Sequence, residues 1–327
     1  MQIADQLMQD VNLDVVVFRA NHSFAVASSD FRGIIARRRF ENTFPQFQRM
    51  PELAEVEYFR RRWDDGIGQQ VLGVKLHGEN RVFRGTDTES VQMTLPRKKL
   101  VSSETRGKQI AFRFSANAWL GIHLGMSGKL RVEAANFSPG KHDHLAIFQR
   151  RRTLLFSDPR TFGRVRFQVG REMPSWWARL PPAVTSREFT TTRLAQILQR
   201  RRHTPLKALL LIQEFFPGVG NWMADEILWQ ACLHPRLAAG SLDDSGVRAL
   251  FRVMRSVCRV ALKTIGENGS NPPANWLIHQ RWNKDGHCPR HGIRLNHAIV
   301  GGRNTAWCSR CQTLKSSRRE RTRTGSG

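Results

Sequence analysis

Acidic residues are scarce in this 327-residue chain: 27 Asp and Glu stand against 52 Lys and Arg, a formal net charge of +25. Such a shortage of carboxylates points to a polyanionic partner, because each phosphate met by Lys or Arg releases condensed counterions. Long apolar runs are also missing. None reaches the roughly 18 residues that a membrane-crossing helix requires, and no basic amphipathic anchor or lipidation motif offers a membrane surface instead. Asp5, Asp10 and Asp14 interrupt the N-terminus where a secretory core would lie, and the same acids argue against a mitochondrial transit peptide. Cysteines number five, three of them close together near the C-terminus, which is not a disulfide framework. A reducing cytoplasm is therefore expected, with Cys232 and Cys258 as buried thiols in helical, apolar context. No internal repeat is visible. Nucleic acid is the expected partner.

Hydrophobic residues make up 40% of the chain, enough for cores in two domains and a small appended module. Residues 50–65 read as a helix with Leu53, Val56 and Phe59 on one face. Pro51 suits the first helical position, and Glu52, Glu55 and Glu57 suit the positive end of the dipole. Short apolar or alternating runs follow at 71–76, 110–114, 119–124, 145–148, 153–156 and 165–167, punctuated by Gly, Asn, Pro and Asp. They predict an antiparallel sheet domain. Pro174, Pro181 and Pro182 mark a linker, and from about 186 the periodicity becomes helical, as in Leu194–Leu198 and Val247–Met254. Residues 268–275, NGSNPPAN, are loop material. The last dozen residues carry basic charge and no apolar pattern, as a solvated tail does.

Near the C-terminus the spacing Cys288-x2-His291 … Cys308-x2-Cys311 encloses a hairpin-length insert that turns at Gly301-Gly302. Two close pairs joined in this way can set four N and S ligands tetrahedrally around one zinc ion. With no position left open, that zinc is structural. His287 and His297 are alternative ligands to His291, at poorer spacing. Arg303, beside the glycine pair, could reach a phosphate or base from the hairpin tip. In Gln213–Trp222 an apolar helix ends, and a Gly-rich turn leads to a new helix with Asn221 as its N-cap. Backbone N–H groups there can hold a phosphate, with Lys207 upstream as a further contact.

Taken in order, PELAEVE, HLGMSGKLRV, KHDH, DPRTFG, PGVGNWMADEIL, LHP and the Cys/His module resemble the bacterial formamidopyrimidine-DNA glycosylase family from Met50 to about Gln312. The resemblance implies an α+β multidomain fold: a β-sandwich opening with a catalytic helix, a helix–two-turn–helix domain, and a β-hairpin zinc finger. Its expected boundaries are a 1–49 extension outside the mature enzyme, a 50–170 sandwich domain, a 171–185 linker and a 186–270 DNA-binding domain. Residues 271–313 would hold the lesion-loop region and finger, and 314–327 the tail.

It further implies excision of oxidised purines, chiefly 8-oxoguanine and formamidopyrimidines, followed by strand nicking. The partner would be damaged double-stranded DNA, and the protein a cytoplasmic, nucleoid-associated monomer. By this resemblance Pro51 supplies the attacking amine, Glu52 the general acid/base, Glu55 a supporting carboxylate, and Lys108 of ETRGK the phosphate grip beside the lesion. Asn221 and Arg303 bind phosphates, with Lys207 a lesser contact. Met126, Arg160 and Phe162 fill the space left by the everted nucleotide. One structural zinc is implied, and no cofactor for the chemistry. His291 stands where the family usually has Cys, and Ala54 where Pro is usual. ETRGK also occurs in the endonuclease VIII branch, which acts on oxidised pyrimidines. Because a proline inside a chain has an amide nitrogen, activity requires the mature protein to begin at Pro51; translation is expected to start at Met50, with proteolytic maturation at the Met50–Pro51 bond as the alternative route. A chain retaining residues 1–49 would instead bind damaged DNA without catalysis.

Overall fold

The computed structural model describes residues 50–314; the expectations for residues 1–49 and for the basic tail beyond 314 lie outside the described residues. Helix α1 runs Leu53–Arg61. Glu52, in extended backbone, is its N-cap, so Pro51 stands one residue before the cap rather than at the first helical position expected for it. The Glu55 carboxylate turns back to accept the Glu52 N–H at 3.1 Å, satisfying one of the donors a helix start leaves free. Arg60 and Arg61 lie in the last turn, complementing the dipole. The helix stops there, and a 3-10 turn at Asp64–Gly66 replaces the rest of the helix anticipated to residue 65.

Eight strands then build two antiparallel four-stranded sheets. The first comprises β1 (Val71–Leu76), β6 (Asp143–Gln149), β7 (Arg152–Ser157) and β5 (Lys129–Ala134). The second comprises β2 (Leu100–Arg106), β3 (Gln109–Phe114), β4 (Ala118–His123) and β8 (Arg164–Val169). A short helix α2 (Thr88–Thr94), capped by Asp87 on the Ser90 N–H, links β1 to β2. Trp63, Phe112, Leu120, Ile147 and Phe156 are fully buried in one core with Val56 and Phe59 of α1.

The helical part consists of α4 (Thr191–Arg200), α5 (Leu206–Leu210), α6 (Asn221–Gln230) and α7 (Asp244–Ala261), after a four-residue helix α3 (Ser175–Ala178) in the linker. Its core takes in Leu53 and Ala54. Helix α1 therefore spans two cores: its first turn belongs to the helical part and the rest to the sheets. A π-helical segment, Leu262–Glu267, extends α7 and lies against α1, where a Cβ on Gly266 would stand 3.1 Å from Glu57 Cγ.

Strands β9 (Asn296–Val300) and β10 (Arg303–Trp307) form the C-terminal hairpin. Cys258 is buried, as expected, but Cys232 is exposed. It sits just past α6 with φ of +55°, where the chain leaves the helix and its side chain leaves the core; Arg290 donates to its sulfur at 3.2 Å. Residues 276–278, just past the expected loop at 268–275, are packed: Trp276, Leu277 and Ile278 are all buried.

Candidate active site and nucleic-acid interface

The Glu52 carboxylate is buried and reaches across to α6. It accepts the Gly220 N–H at 3.0 Å, the Trp222 N–H at 2.9 Å and the Met223 N–H at 3.1 Å. Gly220 is the N-cap of α6 and Asn221 its first helical residue, which corrects the expectation that Asn221 caps the helix. The capping oxygen comes instead from a residue 170 positions away. Only glycine fits at Gly220, because a Cβ there would lie 2.3 Å from the Glu52 carboxyl carbon. Leu53 N–H donates to Gly218 O at 3.0 Å, so α1 and the α5–α6 turn meet at both carboxylate and backbone.

Burial raises the Glu52 carboxyl above the ordinary carboxylate range, opposed by Lys108 and the α6 N–H groups. Glu55 is pushed up to about 7, first by burial and then by the neighbouring Glu52. Its second oxygen accepts the Trp222 indole N–H at 3.0 Å. The two carboxyls thus share one dry pocket in which burial raises both and each bears on the other. Pro51 is buried beside them in sequence.

Lys108 sits at the β2–β3 turn, where Gly107 has φ of +62° and packs against Pro217 and Gly218. Burial lowers its ammonium pKa, Glu52 and Glu55 hold it up, and Arg303 lowers it further. These four side chains therefore share one field although they come from a sheet hairpin, α1 and the C-terminal hairpin. His123, also within that field, falls to about 4 through burial and then Lys108, Arg166 and Arg84. Its Nδ1 accepts the Gly125 N–H at 3.1 Å, which leaves the ring neutral with its proton on Nε2.

Met126, Arg160 and Phe162 come from two loops that one buried residue ties together. Asp158 accepts from Ser127 Oγ at 2.5 Å, from Arg160 N–H at 3.3 Å and from Gly163 N–H at 2.7 Å. A Cβ on Gly125 would strike Gly163 N at 2.5 Å, so the loops touch backbone to backbone. Phe162 is 41% exposed, not a core residue, and Arg160 lies over its ring at 4.9 Å. Met126 is half-buried.

Lys207 departs from its expected place at a phosphate. It is fully buried, its Nζ 2.5 Å from Asp225 Oδ1 and 2.6 Å from Asn221 O. Arg281 takes the other Asp225 oxygen at 2.5 and 2.9 Å, and Ala306 N–H donates to it at 3.1 Å. The apolar setting forces the lysine into an ion pair, and the group joins α5, α6 and the hairpin from within. Asn221 Oδ1 is buried without a partner among the described residues. Arg303 is exposed next to Gly301 and Gly302, with φ of +60° and +72°. A Cβ on Gly301 would lie 2.7 Å from Ala208 Cβ, which seats the hairpin tip on α5.

Cys288, His291, Cys308 and Cys311 bring their ligand atoms within 4.8 Å of one another. His291 Nδ1 is 3.1 to 3.9 Å from the three sulfurs, spacings that suit tetrahedral ligands around a metal ion. Of the three histidines weighed for this position, His291 is the one in the cluster. Trp229 Nε1 donates to Cys288 Sγ at 3.4 Å, an outer-shell contact that orients the ligand. Sequence reasoning missed Trp222, Asp158, Asp225 and Arg281. The acids lie in DPRTFG and NWMADEIL, but nothing local distinguishes a buried anchor from a surface charge.

A sheet domain and a helical domain joined at a buried acid pair, with a Cys3His hairpin alongside, define a DNA-processing enzyme of the helix–two-turn–helix type. Residues 50–165 match the formamidopyrimidine-DNA glycosylase N-terminal domain and residues 180–271 the formamidopyrimidine-DNA glycosylase H2TH domain. The chain is 35% identical over 290 residues to formamidopyrimidine-DNA glycosylase of Thermomicrobium roseum, covering 81% of this chain and all of that one. It is 34% identical over 276 residues to the Thermus thermophilus protein of the same name, covering 80% and 98%. The Lactococcus lactis enzyme, solved bound to DNA containing an AP site, superposes with a TM-score of 0.71 at 26% identity. That match covers 80% of this chain and all of that one. The chain belongs to the formamidopyrimidine-DNA glycosylase family, whose members are DNA glycosylases and AP lyases of base-excision repair. No described helix is long and apolar enough to cross a membrane.

Proposed function

We propose that the chain removes oxidised purines from duplex DNA, acting as a monomer through an N-terminal proline at Pro51, and then nicks the strand at the abasic site. The observation that carries this reading is that Lys108 of the β2–β3 turn shares one field with Glu52 and Glu55, which lie at the start of α1 directly after Pro51 in sequence. A free Pro51 amine attacks C1′ of the damaged nucleotide; the N–C1′ bond forms as the base leaves. The amine proton is lost, and the ring-opened sugar remains as an iminium, the amine counterpart of lysine catalysis. That cation acidifies the C2′ hydrogen, whose removal expels the 3′ phosphate; a second elimination expels the 5′ phosphate. Glu52 carries protons at the sugar, and Glu55, near 7, sets how readily it does so.

Lys108, Arg303 and Asn221 hold backbone phosphates, the Gly220, Trp222 and Met223 N–H groups of the α6 start being taken by Glu52, while Phe162 and Met126 occupy the gap of the everted base and Arg160 reads the opposite strand. Lys207 has a different part, positioning Asn221 and α6 from below. The Cys3His cluster holds one structural zinc. Because an amide nitrogen cannot form the iminium, the catalytic chain begins at Pro51; the family match from residue 50 supports this.

Borohydride trapping tests the nucleophile. A Pro51-initiated protein should form a covalent adduct with an 8-oxoguanine duplex, and absence of adduct would reject the mechanism. A second reading, excision of oxidised pyrimidines, has its own support: the Lactococcus lactis enzyme is solved with oxidised-pyrimidine DNA, and a mutant of the same enzyme with Fapy-dG DNA. Faster excision of pyrimidine lesions than of 8-oxoguanine opposite C would favour that reading.

A further inference from the structure

The sheet register gathers a basic cluster that the chemistry above does not use. Across the second sheet, Arg106 pairs with Gln109, Gln109 with His123, and His123 with Arg164; one step along, Gly121 pairs with Arg166. Directly paired residues share a face, as do alternate ones along a strand. Ile122, Leu120 and Val165, on the opposite face, are in the core. Arg164 and Arg166 therefore stand on the outer face, in rows that begin at the Lys108 hairpin. Trp176 covers Gly121 and lies beside Arg166, so a tryptophan floor supports this part of the face.

Arg84 closes the cluster from another loop. It donates to Gly163 O at 2.6 Å, immediately after Phe162, and to Arg81 O at 3.0 Å. A Cβ on Gly85 would lie 3.5 Å from an Arg164 terminal nitrogen. Arg81, Arg84, Arg164 and Arg166 make no salt bridge with any carboxylate among the described residues. Each of Arg84 and Arg166 is lowered in pKa by burial and then by its arginine neighbours. Guanidinium groups held together without counter-charge are costly in isolation and favourable opposite an anion.

We infer that Arg84, Arg164 and Arg166 form a second backbone clamp, binding DNA phosphates that flank the one held by Lys108. The distance suits it: β3 to β8 is two strand spacings, about 10 Å, against roughly 3.4 Å of axial rise per nucleotide. The clamp thus takes phosphates two or three nucleotides along, next to the Phe162 wedge, and fixes the duplex on the side where it must bend. This rests on the reading that the Lys108 face takes DNA, but not on the Pro51 chemistry.

The test is equilibrium binding of the full chain to a duplex containing a tetrahydrofuran abasic analogue, across a salt series. Each lost phosphate contact should make the slope of log K against log salt shallower by about 0.9. Arg164→Gln with Arg166→Gln should therefore lose about tenfold of the salt sensitivity between 50 and 200 mM. Arg248→Gln on α7 is the control and should leave the slope unchanged. Methylphosphonates at the flanking positions should weaken the parent protein and leave the double variant unaffected. Melting temperature should hold or rise, because like charges are removed; a variant that melts lower is replaced by Arg164→Lys with Arg166→Lys, which should restore the slope. An unchanged slope with folded protein, or equal methylphosphonate penalties, overturns the clamp. Failure of the parent chain to bind the duplex at all overturns both this clamp and the DNA-binding reading, whereas failed trapping with intact binding overturns only the nucleophile.

Discussion

Glu52 has two partners that pull its proton in opposite directions: a dry pocket that favours the neutral acid and the α6 N–H groups with Lys108 that favour the anion. Such a residue is poised between states, which general acid/base work needs. Glu52→Gln in a Pro51-initiated protein should cut base excision by about 10²–10⁴-fold, measured in single-turnover assays, while duplex binding is kept. Glu55, at about 7, should place an ionisation near neutrality in the pH–rate profile. Glu55→Gln should abolish that limb, and a profile unchanged by the substitution would remove Glu55 from the chemistry. Glu226 is a further buried acid, pushed up to about 7 by burial, and it accepts the Ile278 N–H at 3.0 Å. Its folded pKa lies above the ordinary value, so the folded state binds the extra proton and stability falls as pH rises from about 4.5 to about 7. Glu226→Gln should flatten that decline by roughly 3 kcal/mol, read from denaturant unfolding at a series of pH values.

Elements reach their places through a few buried polar joints. The Asp225 carboxylate bonds Lys207, Arg281 and the Ala306 N–H. Asp225→Asn leaves two buried cations short of an anion and should cost about 3–5 kcal/mol; a loss under 1 kcal/mol would show that the joint is solvated. Gly301→Ala adds a Cβ against Ala208 at a positive φ, which should lift the hairpin tip and Arg303 and weaken duplex affinity by tenfold or more, seen in anisotropy titrations. Chelation should release one zinc per chain and unfold the hairpin, leaving the two four-stranded sheets intact by circular dichroism; zinc retention or release is read by a colorimetric indicator. Strands β1, β3, β4, β6, β7 and β8 correspond to runs legible in the sequence, because each has a buried face rich in apolar residues. Strand β2 escaped notice because LVSSETR is an edge strand with little apolar content, its burial confined largely to Leu100. The polar strand β5 is the other sheet's edge and was missed for the same reason.

At the scale of the molecule, α1 is shared between two cores, and both Glu52 and Leu53 bind the α5–α6 turn. Order in that turn and order in the acid pair therefore depend on each other. Local patterns determined a good deal by themselves: the excess of positive charge, the change from two-residue to helical periodicity, the Cys3His spacing, and the peculiarity of a helix start well inside the chain. Each is a property of residues near one another in sequence, or of their sum. Only the tertiary structure decided that Glu52 caps α6 while Asn221 does not, that Lys207 faces inward to Asp225, and that arginines from one loop and a strand lie together. Those outcomes turn on which groups are buried together. A buried charge must find an opposite charge or a row of N–H groups wherever the fold supplies one, and that partner can lie 170 residues away.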